Sequence, residues 1–121
     1  MRRVLSVLVL ALGLAAPAAA QTAEDGYAAY DAGDYAKARI LLLPLAEAGD
    51  PKAMNRIGNM HSFGEGVSRD LTTACDWYEK AAQKGLAVGQ YNFGLCLDYG
   101  DGRPKNTAQA AFWARKAAEQ G

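Results

Sequence analysis

Residues 77–85 read WYEKAAQKG and residues 113–121 read WARKAAEQG, and the 36-residue offset between them extends far beyond these nine positions. At that shift Gly58 falls on Gly94, Gly64 on Gly100, Gly66 on Gly102, Ala74 on Ala110 and Trp77 on Trp113, without a gap. Ile57 with Phe93, Phe63 with Tyr99, and Asp70 with Asn106 are chemically related pairs. A weaker copy lies upstream: Ala38, Ala46 and Gly49 fall on Ala74, Ala82 and Gly85, and AYDAGDYAKA (29–38) leaves a shorter link between its helices. Such a period marks stacked units, each unable to cover its own apolar face. The chain therefore divides into a shortened unit over about 22–49 and full units over 50–85 and 86–121.

Each full unit reads as a helical hairpin. Ala53, Ile57, Met60 and Phe63 form an apolar stripe at helical spacing. The loop GEGVSRD (64–70) follows, and Asp70 suits the N-cap of a second helix that buries Ala74, Trp77, Tyr78, Ala81 and Ala82. Gly85 supplies the stop. In the last unit Asn106 and Gln109 stand at capping-box spacing. Gly58 and Gly94 fall mid-helix, where glycine costs about 0.5–1 kcal/mol relative to alanine, so a neighbouring helix should approach closely there. Alanine is abundant and β-branched residues are scarce. The expected fold is all-α, a short right-handed α-solenoid of stacked hairpins.

NRIGNMHSFGEGVSRDLTTACDWYEKAAQKG (55–85) and YNFGLCLDYGDGRPKNTAQAAFWARKAAEQG (91–121) resemble Sel-one-like repeats, a tetratricopeptide-related class. The resemblance rests on the family's Asn-Leu-Gly in the first helix, which reads Arg56-Ile57-Gly58 and Asn92-Phe93-Gly94 here, on Gly-x-Gly and Asp or Asn around the loop, and then on A-x-x-W-x-x-K-A-A-x-x-G. The segment 27–49, with YDAGDYAKA, is closer to a tetratricopeptide motif. Arg103-Pro104 departs from the family's loop, and Ala114 replaces its usual Tyr. The resemblance implies a protein- or peptide-binding adaptor. A few cysteine-rich relatives have been linked with penicillin binding and weak β-lactam hydrolysis, which keeps a cell-envelope enzyme or penicillin-binding relative as the alternative, although the chain has no Ser-x-x-Lys.

Met1-Arg2-Arg3, the apolar stretch Val4–Ala16 and Ala18-Ala19-Ala20 have the order of a cleaved signal peptide over 1–20, with Gln21 the first mature residue. The stretch is shorter than the roughly 20 apolar residues that span a bilayer. A periplasmic or secreted bacterial location follows as the expectation, with no membrane contact after cleavage. Loss of Arg2 and Arg3 turns 13 basic residues into 11 against 13 acidic ones, a net charge of about −2 that argues against nucleic acid.

Motifs for chemistry are weak. GEG and GDG lack a preceding strand, a third glycine and a Gly-Lys-Ser/Thr continuation, so they read as turns rather than a nucleotide loop. Asp98 to Gly102 lacks the spacing and terminal Glu of a calcium loop. His61 is the sole histidine and has no ligand-spaced carboxylate or Cys, so neither a metal site nor a triad is expected. No catalytic residue and no cofactor is assigned. Cys75 and Cys96 stand at similar distances from the joint near 85–86, hence at similar height on adjacent helices. They read either as a disulfide or as two small buried apolar residues. The cysteine-rich relatives place their pairs elsewhere, near the positions of Ala82 and Gly89.

Stacked hairpins line a curved surface with their first helices, where partners usually bind. Opposite the apolar stripe stand Asn55, Asn59 and Ser62, with Tyr91, Leu95 and Asp98 as counterparts: amides beside an aromatic anchor suit a peptide. Arg56 and Asn92 fall on the flank and are weaker candidates for the same contact. At the C-terminal end Phe112, Ala111, Ala114 and Ala118 form an uncapped face, a second candidate for a partner or for self-association.

Overall fold

The computed structural model describes residues 21–121. The signal peptide expected over 1–20 lies outside these residues. Six helices run in order: α1 (Ala23–Asp31), α2 (Tyr35–Glu47), α3 (Pro51–Phe63), α4 (Leu71–Gln83), α5 (Ala87–Tyr99) and α6 (Thr107–Glu119). No strand occurs among the described residues. Each helix packs on its neighbours in sequence, and the first helices of successive units, α3 and α5, also touch. This is the stacked-hairpin solenoid that the period predicts.

Local chemistry starts and stops the helices where the repeat requires. Asp70 Oδ1 accepts the Thr73 N–H at 3.1 Å, and Asn106 Oδ1 accepts that of Gln109 at 3.0 Å. Their own N–H groups donate to His61 O at 2.8 Å and Leu97 O at 2.9 Å, which ties each second helix to the first helix of its unit. Gln109 therefore does not close a reciprocal capping box. Gly64 and Gly100 end α3 and α5 in the left-handed region, with N–H groups on Met60 O and Cys96 O.

Two buried clusters form the core. Leu42, Ile57 and Met60 centre one between the first two units, and Tyr78, Phe93 and Leu97 centre the other between the last two. Trp77 and Trp113 pack on these clusters half-buried. Phe63 corrects the expected stripe: it is 68% exposed, because it is the last residue of α3 before the chain turns at Gly64.

The second loop glycine has a role beyond turning the chain. A Cβ on Gly66 would lie 2.8 Å from Tyr35 Cβ, and one on Gly102 would collide with the Leu71 carbonyl. Tyr35 and Leu71 are the first residues of α2 and α4. Each loop is thus pressed onto the start of the preceding unit's second helix, and both glycines also have positive φ.

The mid-helix glycines report on the other contact. A Cβ on Gly26 would meet Leu42 Cδ2 at 2.5 Å, and one on Gly58 would meet Tyr78 Cε1 at 2.7 Å. Over Gly94 the nearest atom is Ala110 O at 3.4 Å. The first two units therefore lay a second-helix side chain across this glycine, whereas over Gly94 only α6 backbone and the Trp113 Cβ stand at ordinary contact distance.

Candidate functional site

A cleft of about 270 Å³ opens between α3 and α5, with α4 behind it. Asn59, Ser62 and Asn92 line it with polar groups, and Phe63, Leu95 and Tyr99 supply apolar surface. Phe63 and Tyr99 end their respective helices and are each 68% exposed, so two aromatic rings stand at the rim. Tyr78 and the Cys75–Cys96 disulfide form part of the wall. The bridge joins α4 to α5, with a Cα–Cα distance of 6.1 Å, and fixes the spacing between the second and third units.

Polar groups in the wall are held in place. The Tyr78 hydroxyl donates to Asn59 Oδ1 at 2.8 Å, and burial pushes the Tyr78 pKa up, keeping that hydroxyl protonated. Arg69 Nε donates to the Ser62 carbonyl at 3.0 Å. Asn92 Nδ2 donates to Asn55 Oδ1 at 3.0 Å and so ties α5 to α3. In the first unit Tyr27 donates to Asp50 at 2.9 Å; burial, then that carboxylate, pushes its pKa up to about 12.

The residues expected to contact a partner separate under this geometry. Asn55 is 3% exposed and bonded to Asn92, so it is a strut between helices rather than a contact surface. Its expected exposure fails because α5 packs across that side of α3. Asn59, Ser62 and Leu95 line the cleft. Tyr91, Leu95 and Asp98 instead line an adjacent slot of about 230 Å³ between α5 and α6. Leu95 is common to both recesses. Phe112, 48% exposed, stands edge-on to Trp113 at 5.2 Å and borders a recess with Glu79 and Phe93. Ala111, Ala114 and Ala118 are exposed.

Asn92, a weaker candidate on the flank from the sequence, lines the cleft, whereas the rim pair Phe63 and Tyr99 carries no contact expectation from the sequence. The repeated aromatic at one register was the available signal, but helical spacing assigned it to the core. Arg103, where the loop departs from the family pattern, bridges to Asp76 at 2.7 Å and Glu79 at 2.6 Å on α4. Its guanidinium also lies 5.3 Å from the Phe93 ring centre. Among the described residues no cluster of His, Cys, Asp or Glu is arranged to hold a metal ion.

The Sel1 repeat matches three times, over residues 17–50, 51–86 and 87–121. The chain belongs to the Sel1 repeat family. A Sel1 repeat protein from Oxalobacter formigenes superposes with a TM-score of 0.78 at 39% identity, over 82% of this chain and 41% of that one. A protective antigen present in uropathogenic Escherichia coli strains, which displays the same fold, gives a TM-score of 0.68 at 39% identity, over 70% of this chain and 18% of that one. Among curated proteins, chitin synthase regulatory factor 3 of Schizosaccharomyces pombe is 39% identical over 70 residues, which is 57% of this chain. The DAP3-binding cell death enhancer 1 of Rattus norvegicus is 42% identical over 43 residues, 36% of this chain. The matched segments span 8% of each of these two relatives. This Sel1 repeat fold supports a protein-interaction role.

Proposed function

We propose that the chain is an exported, non-enzymatic adaptor that binds a protein or peptide segment in the cleft between α3 and α5. The observation that carries this reading is the pair of exposed rings, Phe63 and Tyr99, beside the polar groups of Asn59, Ser62 and Asn92. Large rings held on rigid helix ends supply contact area at low entropic cost, and neighbouring amides supply hydrogen bonds to an extended backbone. The leader-like first twenty residues motivate the export part of the reading.

A photo-cross-linking amino acid at Tyr99 tests the cleft. The expected result is a discrete protein adduct in bacterial envelopes, lost on Ser62→Trp, which plugs the cleft, and absent when the cross-linker stands at the exposed Arg115. Adducts unaffected by Ser62→Trp would reject the cleft, and covalent labelling by a β-lactam would reject the non-enzymatic reading. Recovery of an intact N-terminal Met1 from the envelope fraction would reject cleavage before Gln21.

A further inference from the structure

We propose that the slot between α5 and α6 takes the side chain of a tyrosine presented by the bound partner. The protein itself contains the template for this occupant. In the second unit the Tyr78 ring crosses Gly58, 2.7 Å from where a Cβ would stand, and its hydroxyl donates to Asn59 Oδ1 at 2.8 Å. One period later the glycine again faces the second-helix carbonyl, Ala110 O at 3.4 Å from a Gly94 Cβ as Ala74 O is at 3.3 Å from a Gly58 Cβ, but Ala114 stands in place of Tyr78. Removing a ring while keeping its glycine leaves an aromatic-shaped vacancy, and the slot of about 230 Å³ over Gly94 is that vacancy. Its walls are Gly94, Leu95, Ala110, Ala111 and Ala114, with the half-exposed Tyr91 at the mouth.

The same comparison assigns the polar end. Leu95 stands at the register of Asn59 and offers no acceptor, whereas Asp98 stands at the register of Ser62 and offers a carboxylate. Asp98 also lines the slot and makes no side-chain hydrogen bond or salt bridge among the described residues. A phenol entering with its ring over Gly94 thus has an acceptor for its hydroxyl, and a hydrogen bond to a charged acceptor is stronger than one to a neutral amide. Leu95 is shared with the cleft, so one extended segment can lie in the cleft and place its tyrosine in the slot. The assignment of the occupant to a partner rests on the peptide-binding reading above.

Titration of the isotope-labelled chain with p-cresol, followed by amide chemical shifts, tests the slot independently of any partner. Saturable shifts are expected at Gly94, Leu95, Ala110 and Ala114, with toluene binding about tenfold more weakly for want of the hydroxyl. Ala114→Tyr, which supplies the ring in cis, should abolish the shifts and raise the melting temperature. Gly94→Leu, which fills the slot from the opposite wall, should also abolish binding and guards against misfolding of the first variant. Absence of saturable shifts at the slot, or shifts undiminished in both variants, would overturn the proposal, and intact cross-linking at Tyr99 would then show that the cleft reading survives alone. Concentration-dependent association of the unliganded chain that Ala114→Tyr abolishes would identify a second copy as occupant and overturn the assignment to a partner.

Discussion

His61 is half-buried near the end of α3, and its Nδ1 has no hydrogen-bond partner among the described residues. Burial holds its pKa below the ordinary 6.5; Asp70 opposes that shift and Arg39 adds to it. In the unfolded chain the imidazole gains a proton near its ordinary pKa, while the folded chain resists. A depressed folded pKa therefore leaves stability complete above about pH 6.5 and lowers it as the pH falls below that value. Because this is the sole histidine, the effect is assignable. The melting temperature should fall between about pH 7.5 and 5.5, and His61→Asn should flatten that slope. An unchanged slope in the variant would transfer the effect to the carboxylates.

Among the elements, α4 and α5 carry the covalent tie. Cys75 and Cys96 are 21 residues apart, and closing a loop of that length restricts the unfolded chain by an amount worth about 3 kcal/mol. Reduction should lower the urea midpoint by a corresponding amount, with Cys75→Ser/Cys96→Ser insensitive to reductant. A midpoint equal in the oxidised and reduced proteins would remove the bridge from the stability of the fold. The helices and their ends were legible in the sequence because caps, glycines and spacing act within one element. Which side of a helix remains free was not. Periodicity places Asn55 opposite Ile57's stripe, but α5 packs there and consumes it, and Phe63 lies in the stripe yet outruns its neighbours. Facing partners, not one helix's own pattern, decide such cases. The Ala114 substitution was legible as a departure from the repeat, but the slot beside it was not, because its walls are set by how α6 packs on α5.

At the scale of the whole molecule, the units are coupled through their loops. Arg103 reaches back from the third unit to Asp76 and Glu79 of the second, and it covers Phe93. Both carboxylates are substantially solvated, so the ion pairs contribute about 1 kcal/mol or less and weaken with salt. Arg103→Ala should therefore lower the urea midpoint modestly, with a smaller difference at high ionic strength; a salt-independent loss would assign the effect to the Phe93 contact instead.

The seating of Gly66 on Tyr35 and of Gly102 on Leu71 gives the stack a direction. In both cases the loop grips a helix that precedes it in the chain, never one still to come. A polypeptide emerging N-terminus first can thus dock each loop on a partner that has already been synthesised. The order of assembly can follow the order of translation, one hairpin at a time.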